Sequence, residues 1–240
     1  MSMGTHFSNE SMKFLRGLAK NNDREWFEAR RAVYEEAVRG PMLAVVEEIN
    51  AAMITFAPEY VRPANKTVMR IYRDVRFSKN KQPYKTHLSA WWARRGMEKT
   101  SGGGFYMQVG PSGLMLAAAV YMPEREQLLK LREWMSANHV AYRKLLKSLT
   151  ATKLGLVAID GEPLTRMPKG FAADDPAGEL LRSKHWGVRV DLPVEMALEA
   201  DFVKEAVKRF KAATPLVDTL NGAILGGEEE HVRGIRKPLF

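Results

Sequence analysis

Residues 104–122 read GFYMQVGPSGLMLAAAVYM. Two apolar runs flank Pro111-Ser112-Gly113, a turn-forming triplet, so the stretch predicts two strands joined by a hairpin. Strands joined by so short a turn pair antiparallel, because a parallel pair needs a long crossover. Upstream, HLSAWWARR (87–95) predicts another strand. Downstream, GLVAIDG (155–161) predicts a short one, and WGVRVDL (186–192) alternates as a strand with one buried face.

Helical spacing surrounds this block. Ser8 or Asn9 is placed to cap a helix carrying Met12, Phe14, Leu15 and Leu18. Asn22 or Asp23 caps the next, with Trp26, Phe27, Val33, Tyr34 and Val38 at helical intervals. Gly40-Pro41 interrupts that helix, and Pro41 opens another through Leu43, Val46, Ile49 and Met53. Glu124 to Lys147 predicts one broken helix or two in succession. After the loop LTRMPKGFAADDP, AGELLRS is helical, and two C-terminal helices are expected over 193–213 and 215–225. Helices, then adjacent strands, then helices with one late strand give an α+β class: a largely antiparallel sheet covered by N-terminal and C-terminal helices. The expectation is a single domain over 1–240, with GGEEEHVRGIRKPLF a peripheral tail.

Composition narrows the function. The chain has 240 residues and no cysteine, which removes thiol nucleophiles, Cys-ligated zinc and disulfides, and fits a reducing compartment. The start, MSMGTHFSNESMKF, lacks a basic region followed by an apolar one, so no signal peptide is expected. The longest apolar run, 114–122, is about half of what a membrane span requires. The expected location is the cytoplasm, away from membranes. Of the formal net charge of +9, essentially all falls within residues 62–99. That is a local positive field, not a generally basic protein.

The centre of that field is RIYRDVRFSKNKQPYK, residues 70–85, with six basic side chains and the single acid Asp74. VMRIYRDVRF (68–77) is predicted as a strand with Met69, Ile71, Arg73, Val75 and Phe77 on one face. Arg70, Tyr72, Asp74 and Arg76 share the other. SKNKQP follows as a loop. Guanidinium forks suit bidentate contact with phosphate or carboxylate, and one acid cannot neutralise so many cations. The candidate ligand-binding residues are therefore Arg70, Arg73, Arg76, Lys81, Tyr84 and Lys85, with Lys79 on the same loop. Asp74, Tyr84 and His87 are the candidates for catalysis. Asp74 orients a guanidinium or acts as base, Tyr84 offers a hydroxyl, and His87 is held neutral by nearby charge. Arg73, alone among apolar neighbours, reads as structural.

Two other readings compete. An Arg70–Asp74 ion pair with a solvated lysine rim would make the cluster purely structural. Acids of the N-terminal helices (Glu25, Glu28, Glu35 or Glu36) packed against the arginines would do the same. WWARR (91–95) joins aromatic rings to arginines, a combination that binds single-stranded nucleic acid, although adjacent strand residues face opposite ways. The glycine cluster at 102–104 lacks the Lys-Ser/Thr of a phosphate loop. The five histidines show no paired metal spacing, and no motif asks for a cofactor. Whether the chain is an enzyme, and how many copies assemble, stays open.

The order Arg70, Arg73-Asp74, Arg76-Phe77, Asn80-Lys81, Tyr84 resembles the signature of bacterial proteins called the domain of unknown function 2461 family. NNDREWF (21–27), PKGF (168–171) and DDP (174–176) resemble its other recurring stretches, so the likeness covers about residues 7–225. The family's pattern carries His-Pro where this chain has Asp175-Pro176, and no imidazole role transfers there. The resemblance implies a shared site without implying a reaction.

Overall fold

The computed structural model describes residues 7–97, 102–159, 161 and 163–226. The expected tail beyond Gly226 and the first six residues lie outside this range. The class is α+β, with helices at both ends of the chain and an antiparallel sheet in strand order β1-β2-β3-β5-β4. These strands are β1 (Leu88–Ala93), β2 (Gly104–Gly110), β3 (Gly113–Val120), β4 (Val157–Ala158) and β5 (Trp186–Leu192). The hairpin predicted around Pro111-Ser112 joins β2 to β3. No helix among the described residues is long and apolar enough to cross a membrane.

The chain divides into two compact units. Among the described residues, one comprises 7–92, 106–116 and 190–211. Its helices are α1 (Asn9–Lys20), α2 (Arg24–Glu28), α3 (Arg31–Tyr34), α4 (Gly40–Met53) and α5 (Ala64–Thr67). Ser8 caps α1 through the amides of Glu10 and Ser11, and Asp23 caps α2 through that of Trp26, as their side-chain chemistry predicts. The interruption expected at Gly40-Pro41 takes a particular form: residues Glu35–Arg39 make a wide π-turn, closed by the Gly40 N–H on the Glu35 carbonyl. Pro41 has no N–H to give, and its ring would meet the carbonyl four residues back, so the preceding turn widens. Asn50, buried on α4, donates to the Arg62 carbonyl at 2.7 Å and accepts from Trp92 Nε1 at 2.9 Å. Both polar ends of a buried side chain are thereby satisfied.

Among the described residues, the second unit comprises 93–97, 102–105, 117–159, 161, 163–189 and 212–226. Helix α6 (Arg125–Thr150) is the broken helix expected, kinked at Asn138 where the backbone leaves the helical region. Helix α7 (Gly178–Arg182) follows the long loop. Strand β4 pairs antiparallel with β5, Val157 opposite Arg189 and Ala158 opposite Val188. Gly187 has φ +157°, and a Cβ there would lie 2.4 Å from the Ala118 carbonyl oxygen, so only glycine permits this approach.

Two sequence expectations are corrected. The C-terminal region is one helix, α8 (Phe202–Leu225), running through Pro215. Its buried stripe of Phe210, Ala213, Leu216, Val217 and Leu220 continues across the proline, and that packing outweighs one lost hydrogen bond. Residues 68–77 do not form a strand. They make only isolated antiparallel bridges, Val68 with Ala90 and Tyr72 with Tyr84.

Candidate functional site

The basic segment doubles back on itself within the first unit. The Lys85 amide donates to the Ile71 carbonyl at 2.8 Å, and the Arg73 amide to that of Pro83 at 2.9 Å. Pro83 returns no bond because it has no N–H, so the ladder stops there. Alternation still governs burial: Ile71 is buried, Arg73 and Val75 are half-buried, and Arg70, Tyr72, Asp74 and Arg76 are exposed. It fails at Phe77, which is 94% exposed.

Between the two arms, residues 73–82 form a loop braced from within. Arg73 donates to the Gln82 carbonyl at 3.3 Å and to Ser78 Oγ at 3.4 Å. Lys81 Nζ reaches back to the Val75 carbonyl at 3.0 Å, and Asn80 accepts from the Gln82 amide. Asp74 takes Arg76, not Arg70, as partner. The guanidinium donates to both carboxylate oxygens, at 3.0 and 2.7 Å, and the Arg76 amide adds a third bond. These bonds hold the Asp74 carboxyl down at about 2. The cations of the loop are largely consumed by the loop.

Tyr84 anchors the returning arm. Its backbone is clamped by Asn22, which accepts from the Tyr84 amide at 3.0 Å and donates to its carbonyl at 3.1 Å. Its ring is buried and stacks on Phe27 at a centroid distance of 4.2 Å. Phe14, Trp26, Tyr34 and Tyr72 extend this cluster. Burial raises the affinity of the Tyr84 hydroxyl for its proton.

Beside this aromatic cluster lies a cleft of about 230 Å³. Its lining combines apolar residues, among them Phe27, Tyr34, Met69 and Tyr72, with Arg31, Glu35, Arg39, Asn65 and Arg70. Arg31 is engaged by Glu28 at 2.8 and 2.5 Å and also donates to Tyr72 Oη at 3.2 Å. Arg39 is engaged by Glu35 across the π-turn at 3.1 Å. The helix acids thus pair with helix arginines. Arg70 makes no hydrogen bond or ion pair with any described residue. Tyr34 is only 6% exposed, yet its hydroxyl has no hydrogen-bond partner among the described residues. Burial foremost, with Glu35 adding to it, raises its pKa to about 12, so it remains a donor at neutral pH.

Lys85 and His87 continue the segment outside the cleft lining, both half-buried. Burial, then the charge of Arg70, favours the neutral form of Lys85; burial, then Lys85, favours neutral His87. The direction for His87 is the one expected, with burial ahead of charge as the cause. No group of His, Asp and Glu among the described residues is arranged to hold a metal ion. Trp91 and Trp92 are both buried, so WWARR presents no open ring.

Of the candidate ligand-binding and catalytic residues, Arg70 alone lines the cleft. Arg73, Asp74, Arg76 and Lys81 belong to the braced loop, Tyr84 to the aromatic cluster, and Lys85 and His87 to the returning arm. Arg31, Arg39 and Asn65 escape sequence reasoning, Tyr34 reads there as a core position of a helix, and Glu35 only as an acid to pack against the arginines. Arg31, Tyr34, Glu35 and Arg39 lie on helices remote from Arg70 in the chain. Their one legible signal is the spacing Glu28/Arg31 and Glu35/Arg39, which predicts helix ion pairs. Against known proteins, the family described as "Conserved hypothetical protein (DUF2461)" matches residues 10–218. No curated protein matches the chain.

Proposed function

The chain belongs to the DUF2461 family, and from the geometry of the cleft we propose that it binds a small phosphate- or carboxylate-bearing molecule. The observation that carries this reading is that one lining holds the Arg70 guanidinium and the Tyr34 hydroxyl, neither with a hydrogen-bond partner among the described residues. Arg70 keeps its donor fork available to a ligand, and Tyr34 adds an O–H donor. Arg31 and Arg39, already fixed by Glu28 and Glu35, hold spare N–H groups without needing to be ordered by the ligand. The braced loop and the Asn22 clamp fix the segment that bears Arg70, so residues 73–82 support the site without touching the ligand.

The experiment is a thermal-shift and calorimetric screen of phosphate and simple carboxylates on the wild-type chain and on Arg70→Ala. Anion-dependent stabilisation that disappears in a folded Arg70→Ala variant is the expected result. Equal shifts in both proteins would remove the cleft from consideration. Unfolding of Arg70→Ala with no shift for any anion would leave the arginine a structural residue.

A second reading rests on Phe77. Its ring stands in solvent with the Arg76 guanidinium 5.8 Å from its centroid and Lys79 exposed two residues on. An open ring among cations is the element that stacks on single-stranded nucleic acid. Under that reading, affinity for a single-stranded oligonucleotide falls steeply with salt and drops several-fold in Phe77→Ala; insensitivity to both rules it out.

A further inference from the structure

We propose that the ligand of the cleft is an aromatic carboxylate: a single negative charge on a ring-bearing molecule of about ten non-hydrogen atoms. This rests on the anion-binding reading above and narrows it by charge, shape and size.

Charge comes first. Of the three guanidinium groups on the lining, Arg31 is matched by Glu28 and Arg39 by Glu35, which leaves Arg70 as the one uncompensated charge there. Asp74, the other nearby acid, is matched by Arg76. A carboxylate brings one charge and a planar pair of oxygens that fits one guanidinium fork. A phosphomonoester brings nearly two charges at neutral pH, and the second would face Glu35 on the lining and Glu28 behind Arg31. Lys85 lies outside the lining and supplies no contact there, and its burial and the charge of Arg70 favour its neutral form.

Shape and size follow. Of the aromatic lining residues, Phe27 and Tyr34 are buried and Tyr72 presents the open ring, with the half-buried thioether of Met69 beside it on the lining. Tyr72 rests on Tyr84 at 5.2 Å, yet the residue stays 42% exposed, so much of its surface is available to a ligand. Rings gain from offset or edge contact with other rings, and thioethers from ring edges, beyond the area they bury. A volume of about 230 Å³ holds roughly eight waters at ~30 Å³ each. That admits a benzoate-sized molecule.

The test is calorimetric titration of the full chain with acetate, phenylacetate, cyclohexylacetate, phenyl phosphate and inorganic phosphate, repeated on Arg70→Gln. Phenylacetate is expected to bind at least tenfold more tightly than acetate, cyclohexylacetate or phenyl phosphate, and to lose that affinity in Arg70→Gln. Circular dichroism of the variant establishes that it is folded. Tighter binding of either phosphate through Arg70 overturns this inference and leaves the anion reading standing. Equal binding of phenylacetate and cyclohexylacetate overturns the aromatic assignment. Binding of none of the five overturns both.

Discussion

Arg70 and Arg76 lie six positions apart in one basic segment and face opposite circumstances. Arg76 sits beside an acid two residues away, and its fork is closed on Asp74 before any ligand arrives. Arg70 bonds to no acid among the described residues, although Glu35 shares its cleft. Loop 73–82 consumes its cations to hold its own shape, whereas the arm bearing Arg70 borrows its shape from Asn22, Phe27 and the sheet. Positive charge alone therefore does not mark a site. What marks it is a cation whose local geometry leaves it no internal acceptor.

The largest effect that sharpens this contrast concerns the support, not the charges. Tyr84→Ala removes a fully buried ring stacked on Phe27 and is expected to cost about 3–5 kcal/mol in urea unfolding, as for other large-to-small core changes. A cost below about 1 kcal/mol would mean that the returning arm is not held by the core, and the contrast would lose its basis. Arg73→Ala should come next. It loses two long hydrogen bonds that close the loop, worth about 1 kcal/mol together, with no effect on anion binding in the cleft. Loss of binding in that variant would place the loop in the site.

Tyr34→Phe is the complementary change. The hydroxyl has no partner among the described residues to lose, so stability should move by no more than about 0.5 kcal/mol. Affinity for a cleft anion should fall roughly fivefold to tenfold, the worth of one hydrogen bond. A clear loss of stability without loss of affinity would show that the phenol serves the fold.

His87 offers a pH test of the returning arm. Burial depresses its pKa in the folded chain. The folded state therefore binds the proton less readily than the unfolded state, whose value is near 6.5. Its contribution to stability is present above that value and is lost as pH falls through the depressed folded one. The urea midpoint of the wild type should decline over this acidic window more steeply than that of His87→Phe. Parallel curves would show that His87 is solvated in both states.

Much of this architecture is legible in the sequence, and what is not has a physical cause. Periodicity and capping chemistry locate α1, α4, the kinked α6 and the β2–β3 hairpin, because each depends on contacts within a few residues. The alternation of 69–75 correctly sorts buried from exposed side chains, but it does not make a strand. A ladder needs a partner with free donors, and Pro83 interrupts it. Pro215 misleads in the other direction, since continuous burial on both sides carries α8 through it. The basic segment points to Arg70 by charge accounting alone. Arg31, Tyr34 and Arg39 join it only through tertiary placement, and the π-turn that positions Glu35 against Arg39 leaves no trace beyond Gly40-Pro41.

The smallest expected effect is the sharpest test of the contrast between Arg76 and Arg70. The Asp74 carboxyl is held at about 2 by its bonds to Arg76, so the pair's stabilisation is present above the ordinary aspartate value and disappears as pH falls through about 2. Both partners are solvent-exposed and screened; Asp74→Asn at neutral pH should leave the urea midpoint unchanged within error. It should, however, release the Arg76 fork. The variant then gains weak, salt-sensitive phosphate binding at the loop, visible as movement of the Arg76 Nε–H resonance, while the affinity of the cleft measured through Arg70 stays constant. If releasing Arg76 alters the cleft's affinity, the two arginines serve one site and the division between braced loop and open cleft fails. If the freed fork binds nothing, an arginine needs more than the absence of an acceptor to become a site, and the weight placed on the Tyr34 hydroxyl in the same lining as Arg70 increases.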